Sequence, residues 1–267
     1  MIHLRSVELR SLAPCADYPF SVPAIAGLTG IEFTAPVTFL VGENGSGKST
    51  FMESLAIAAR SITVGSTDAH RDEGLKPLRE FARQLKLTWA KRTHKGFFLR
   101  AEDFFGFAKR MGSIRAELET DLAAIDREYR GRSDKAKSLA ALPYQNELAA
   151  MERRYGVDLT ARSHGESFLN LFQSRFVPDG LYLLDEPEAP LSPLRQVGFL
   201  ALLHEMVDTH NAQFIIATHS PILMAFPGAT ILNFDSAPVR PVAWDKLEHV
   251  TITRSFLNDP GAYLQHL

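Results

Sequence analysis

The chain has 267 residues, 45% of them hydrophobic and 22% charged, with a formal net charge of −2. That length supports one large α/β domain, or one domain carrying an insertion, and the near-neutral balance excludes a chain that is a polyanion binder throughout, so any nucleic-acid surface must be local. The single cysteine, Cys15, excludes an internal disulfide and a cysteine-built zinc site and suits a reducing compartment, where it reads as a packing residue.

Residues 1–10 alternate like a strand and lack the apolar core of a signal peptide. No run approaches the roughly 18 apolar residues that cross a bilayer, so a soluble, cytoplasmic protein is expected. Residues 30–41 read as a further strand after turn residues at Gly27 and Gly30. Its apolar end, Val37-Thr38-Phe39-Leu40-Val41, runs into Gly42-Glu43-Asn44-Gly45-Ser46-Gly47-Lys48-Ser49-Thr50, which fits G-x-x-x-x-G-K-[ST]. In that pattern glycines let successive backbone N–H groups turn inward around a β-phosphate, Lys48 reaches the β and γ oxygens, and the Ser49 hydroxyl ligates magnesium. The helix that follows aims its positive dipole end at the same anion. Asn44, Gly45, Ser46, Gly47, Lys48, Ser49 and Thr50 are therefore expected to bind a nucleoside triphosphate.

Further along, 75–86 has helical spacing, and Leu87-Thr88-Trp89-Ala90 with Gly96-Phe97-Phe98-Leu99-Arg100 read as a pair of strands around a polar turn. Residues 107–155 are charged and rich in Ala and Leu, with Pro143 as the clear interruption, and predict a helical subdomain inserted into the sheet domain. Its charges are balanced, as on a solvated helical face, and its apolar pattern is too short and irregular for a long coiled-coil arm. Strands at 180–184 and 213–217 flank a helix at 197–209, the unit of a parallel sheet. Strands at 230–234 and 250–253 complete the prediction.

The apolar strand Leu181-Tyr182-Leu183-Leu184 ends in Asp185-Glu186. Asp185 is placed to hold magnesium beside the phosphate loop, and Glu186, one residue on, is free to polarise a water in line with the γ-phosphate.

Leu183-Leu184-Asp185-Glu186-Pro187-Glu188 and Ala217-Thr218-His219-Ser220-Pro221 together resemble the ATP-binding cassette (ABC) superfamily, whose Walker B strand ends in Asp-Glu and whose switch histidine ends the next strand. The resemblance implies that His219, 34 residues beyond Asp185, contacts the γ-phosphate and senses its loss. It places 188–193 where the family's D-loop crosses to a partner subunit. The family signature, Leu-Ser-Gly-Gly-Gln, has a looser counterpart in Arg162-Ser163-His164-Gly165-Glu166-Ser167, where Ser163 and Gly165 match while His164 and Glu166 replace a glycine and the glutamine. Such a form resembles soluble, non-transporter cassette ATPases, and it implies a helix N-terminus that caps, through Ser163, Gly165 and Glu166, the γ-phosphate of ATP held by a second subunit. Where the family has its Q-loop glutamine this chain has Arg100-Ala101-Glu102, and Glu102 is the candidate, making Ser49, Asp185 and Glu102 the expected magnesium ligands. Upstream of the loop, Tyr18 and Phe20 either stack on adenine or pack in the core. Phe97, Phe98, Phe104, Phe105 and Phe107 read as core at the subdomain joint rather than a base-stacking surface.

The resemblance, over residues 1–235, implies an α/β fold: a P-loop NTPase sandwich of the ABC-ATPase type, in a single domain over 1–267 with a helical subdomain inserted at about 103–165. It implies Mg-dependent hydrolysis of ATP, with Lys48, Glu186 and His219 as catalytic residues, in a head-to-tail homodimer that sandwiches two ATP molecules. Between Arg71 and Arg100 nine basic residues face three acidic ones, a stripe that could track nucleic-acid phosphates in repair, maintenance or defence, or form a solvated face. A protein partner remains open; a transporter subunit is disfavoured by the altered signature and the insertion, and a non-hydrolysing dimerisation switch by the joint presence of Asp185, Glu186 and His219.

Overall fold

The computed structural model describes residues 1–10, 17–64, 75–155 and 164–265. Cys15 and Ser163 lie outside the described residues, as do Arg71, Asp72 and Glu73 of the basic stripe. The chain forms two compact units, one made of Met1–Ala101 with Phe176–Leu267 and the other of Glu102–Arg175.

In chain order the first unit contains β1 (Leu4–Leu9), α1 (Pro23–Ala26), β2 (Gly30–Glu32), β3 (Val37–Val41), α2 (Lys48–Ala59), β4 (Ile62–Thr63), α3 (Lys76–Gln84), β5 (Leu85–Trp89) and β6 (Phe97–Arg100). The chain then runs through α4 (Ala101–Glu128), α5 (Asp134–Tyr155) and α6 (His164–Arg175), which build the second unit. It returns with β7 (Leu181–Asp185), α7 (Pro193–Asp208), β8 (Gln213–Ala217), β9 (Thr230–Asn233), β10 (Arg240–Pro241), α8 (Glu248–Asn258) and α9 (Pro260–Leu264).

A seven-stranded sheet in the order β10-β9-β3-β8-β7-β6-β4 forms the centre of the first unit, parallel throughout except for β10. Every residue of β3, β7 and β8 is buried, as expected of predominantly apolar strands covered on both faces. The register sets Leu40 beside Ala217 and Asp185 beside the same Ala217, so β3, β8 and β7 end at one edge of the sheet. Crevices at the carboxyl ends of parallel strands are where such sheets bind ligands. Phe51, Met52 and Leu55 of α2, all fully buried, pack into the core cluster with Leu40, Leu183 and Ile215. A second, antiparallel sheet has the order β2-β1-β5.

One side chain ties the two sheets together. Gln213, at the start of β8 and fully buried, accepts from the backbone N–H groups of His3 and Leu4 at 2.8 Å each and donates to the Leu4 carbonyl at 2.9 Å. Lower down the central sheet, Tyr182 stacks on Phe214 with ring centroids 5.0 Å apart, and its hydroxyl donates to the Val177 carbonyl. Burial pushes that phenol up to about 12.

The second unit is helical. Phe104, Phe168 and Phe172 form edge-to-face pairs at 4.7 and 4.6 Å and are buried with Leu171, Ile125 and Ala141.

Three expectations fail. The strands at 87–90 and 96–100 do not form a hairpin: β5 joins β1 in the antiparallel sheet, while β6 lies parallel to β7. The burial patterns give the reason, since β5 is half exposed, whereas Phe97, Phe98 and Leu99 are buried in succession and belong inside a covered sheet. The helical stretch breaks at 129–133, where Gly131 takes φ +90°, and Pro143 is carried inside α5. Residues 250–253 are not a strand but lie within α8, because Leu247 and Val250, three apart, supply the buried anchor, while all the other residues of the helix except the half-buried His249 face solvent.

The bridge across the two sheets predicts that Gln213→Ala destabilises the protein by about 3 kcal/mol, from three lost hydrogen bonds and two backbone N–H groups left buried without partners. Urea unfolding checks this, and a change below about 0.5 kcal/mol would show that the sheets hold together without it.

Candidate functional site

The loop between β3 and α2 is wound by glycines. Gly42, Gly45 and Gly47 have φ of +147°, +84° and +100°. At two of them space is closed as well: a Cβ on Gly42 would sit 2.8 Å from Asp235 Oδ1, and one on Gly47 would sit 2.8 Å from Val22 Cγ1. A Cβ on Gly45 would meet nothing within 4 Å, so the loop is buttressed from behind and open in front. The buttress is Asp235, just past β9, whose Oδ1 accepts from the Glu43 N–H at 2.7 Å.

Lys48 opens α2 and is 5% exposed. Its Nζ donates to the carbonyls of Gly42 and Glu43 at 2.6 and 3.0 Å and to Ser46 Oγ at 3.4 Å. Burial pulls its ammonium below the ordinary lysine range, against the opposing pull of Asp235, Asp185, Glu186 and Glu43. Asn44 and Gly45 are exposed at the loop mouth, while Ser49 and Thr50 are half-buried in the first turn of α2. Tyr18 is 51% exposed and its hydroxyl lies 3.1 Å from Thr50 Oγ1. Phe20 is buried edge-to-face against Phe81, so of these two residues Tyr18 is the one exposed beside the loop.

Asp185 closes β7 and is 5% exposed. Burial raises its carboxyl above the usual range, while Arg100 and the Ser49 hydroxyl pull it down. Its Oδ1 is buried with no hydrogen-bond partner in the protein. A buried, unpartnered carboxylate oxygen beside a serine hydroxyl and a phosphate loop fits magnesium, which takes few protein ligands and draws the rest from phosphates and water. Among the described residues no group of three or more His, Cys, Asp or Glu side chains could hold a metal.

Arg100 is the residue the sequence passed over. It ends β6 in register with Asp185, its Nε lies 3.4 Å from Asp185 Oδ2, and its guanidinium pairs with Glu53 of α2. Glu102, the residue offered for the Q-loop place, belongs to the helical unit, exposed in the first turn of α4. Of the signature candidates, Gly165 and Glu166 lie in the first turn of α6, which begins at His164.

Glu186 follows Asp185 with φ +52°, and its half-exposed carboxylate lies 3.8 Å from His219 Nε2. His219 stands beyond β8, its backbone N–H held at 2.7 Å by Glu188 Oε1. Burial is the main force holding the Glu188 carboxyl above the usual range, against bonds from Thr218 and His219 that lower it. Burial first, then Lys48 and His249, lower the His219 imidazole, so it is neutral near pH 7. Its Nδ1 lies 3.1 Å from Nε2 of His249, on α8. His249, just before residues 250–253, carried no signal in the sequence; Asp235 carried one, as a carboxylate just beyond a strand of the phosphate-loop sheet.

The remaining candidates have ordinary surroundings. Phe97, Phe98 and Phe104 are core residues. Within the basic stripe Lys86 pairs with Glu8 at 2.9 Å, and Lys91 and Lys95 lie 3.3 and 3.9 Å from Asp179. Among the described residues no helix is long and apolar enough to cross a membrane.

Phosphate loop, carboxylate strand and histidine are set on adjacent strands of one parallel sheet, the layout of a P-loop α/β fold. Family matches agree: residues 21–61 match an AAA-domain model, and residues 167–225 match a second AAA-domain model whose description ties it to AbiEii toxins and type IV toxin–antitoxin systems. Among solved structures, the Smc head domain of Pyrococcus furiosus, bound to part of ScpA, is similar at 12% identity and TM-score 0.47, covering 96% of this chain and 100% of that one. A component of the cbiONQ ABC transporter complex of Clostridium perfringens is similar at 16% identity and TM-score 0.45, with 100% of both chains covered. No curated protein sequence matches the chain.

The Asp235 buttress predicts that Asp235→Ala weakens ATP binding by about tenfold, the equivalent of one hydrogen bond to a charged group, while the circular dichroism spectrum is kept. Titration with a fluorescent ATP analogue reads it, and unchanged affinity would mean the loop holds its shape unaided.

Proposed function

We propose that the protein hydrolyses ATP to ADP and phosphate. The reading is carried by one observation: Lys48, Ser49, Asp185, Glu186 and His219 all lie at the carboxyl edge of β3, β7 and β8, with Asp185 Oδ1 buried and unpartnered.

In this reading the open face of the loop cradles the phosphates of ATP with backbone N–H groups from Asn44 to Thr50, and Lys48 turns from the loop carbonyls to the β and γ oxygens. Ser49 and Asp185 hold magnesium, which supplies charge neutralisation at the phosphate oxygens. Glu186, half-exposed and one residue past the metal ligand, accepts the proton of the attacking water. His219, neutral and with Nε2 turned toward Glu186, donates to the γ-phosphate and loses that partner when phosphate leaves. Arg100 lies beside Asp185 where the superfamily places its glutamine, a substitution that brings a fixed positive charge to the metal site.

The finer reading is a head-to-tail, ATP-sandwiched homodimer that closes on binding and reopens on hydrolysis, using the energy for conformational work. It is supported by the turn at 188–193 beside the carboxylates and by the start of α6 at His164, a helix N-terminus suited to an anion. Nucleic acid is the partner class favoured by the exposed Lys76, Arg83 and Arg92, although pairing of Lys86, Lys91 and Lys95 with acids reduces the charge available.

Turnover measured per chain, with and without duplex DNA, tests the reading. Glu186→Gln should keep ATP binding, lose about 100-fold or more of turnover and accumulate dimer under saturating Mg-ATP. A monomer there would remove the sandwich, and turnover independent of Glu186 would remove the assigned base. Lys48→Ala should weaken binding by about 100-fold, and full affinity in that variant would place the nucleotide elsewhere.

A further inference from the structure

His219 is not the last member of its chain of polar contacts. Its Nδ1 lies 3.1 Å from His249 Nε2, and the same His249 nitrogen lies 3.9 Å from Glu43 Oε1 in the phosphate loop. On the opposite side of the ring, His219 Nε2 is buried, has no hydrogen-bond partner and lies 3.8 Å from Glu186 Oε1. Between two neutral imidazoles only one arrangement of the shared hydrogen can form at a time, so the His219–His249 contact selects a tautomer for each ring.

Both flanking carboxylates favour the same choice. If His219 donated from Nδ1, its Nε2 would turn a lone pair toward the Glu186 carboxylate, and His249 would turn one toward Glu43. If His249 donates from Nε2, its hydrogen lies between His219 Nδ1 and Glu43, and His219 presents an N–H at Nε2 toward Glu186. The second arrangement removes both repulsions.

We propose that His249 is a positioning residue which, by donating to His219 Nδ1, holds His219 as the tautomer with hydrogen on Nε2, the form able to donate to a phosphate oxygen. The α8 helix is fixed for this task. Leu247 and Val250, on either side of His249, are 4% and 3% exposed, and Trp244 Nε1 donates to the carbonyl of Pro221, two residues beyond His219, at 3.1 Å. Helix α8 is thus part of the nucleotide site. The inference rests on the hydrolytic reading for its consequence, but the tautomer itself does not.

The test uses the full chain labelled with nitrogen-15 in histidine, with His219→Gln to assign the signal, at a pH where the ring is neutral. In the wild type His219 is expected to be protonated at Nε2 and bare at Nδ1. In His249→Leu the two tautomers should mix and kcat should fall about 10- to 100-fold at unchanged KM. His249→Gln, whose side-chain amide can donate to Nδ1, should restore the single tautomer and most of the kcat, separating positioning from packing. His219 protonated at Nδ1 in the wild type, or a tautomer unaltered in His249→Leu, would overturn the proposal. If His249→Leu does not fold, failure of His249→Gln to keep the wild-type tautomer overturns it as well. A wild type without turnover would sink the hydrolytic reading alone and leave the nitrogen measurement decisive for His249.

Discussion

A triphosphate brings several like charges to one place, and a protein can hold them only where rigid backbone dipoles and side chains already converge. In this chain the convergence depends on strand register. Leu40 and Asp185 both lie beside Ala217, so the phosphate loop, the paired carboxylates and the histidine leave the sheet at the same level. Slippage of any of these strands by one residue would turn its side chains to the opposite face and separate Asp185 from Ser49. Burial of these strands on both faces opposes that slippage, so the residues that do no chemistry in β3, β7 and β8 are the ones that place the residues that do.

Around that edge the charges are balanced in pairs rather than neutralised as a whole. Lys48 is set among the loop carbonyls near Asp235, Asp185, Glu186 and Glu43, while Arg100 joins Asp185 and Glu53. Burial drives Asp185 and Glu188 toward their protonated forms and Lys48 and His219 toward their neutral ones, so each group is held away from its solution behaviour. Groups displaced in this way respond strongly when a new charge arrives.

Much of this could be read from the amino acids in order. Local patterns carried the phosphate loop, because a glycine-rich turn between a strand and a helix has few other uses, and the Asp185-Glu186 and His219 segments, because both end unmistakable apolar strands. Pairing between distant segments was not readable. Nothing local distinguishes a strand that turns back on its neighbour from one that crosses to another sheet, so β5 and β6 were joined wrongly; their burial on one face or two was the only clue. The residues 250–253 alternate well enough for a strand, and only the tertiary anchor at Leu247 and Val250 makes them helical. Without that helix His249 carries no local signal, and Arg100, inside an apolar strand, gives none that it sits beside Asp185.

Gln213 and His249 are far apart in the order of synthesis, and the difference has a biological consequence. Gln213 can join β8 to β1 while the chain is still growing, and every strand of the seven-stranded sheet emerges before His249 does. A nascent domain on the ribosome therefore possesses its phosphate loop and carboxylates before it possesses the imidazole that contacts His219.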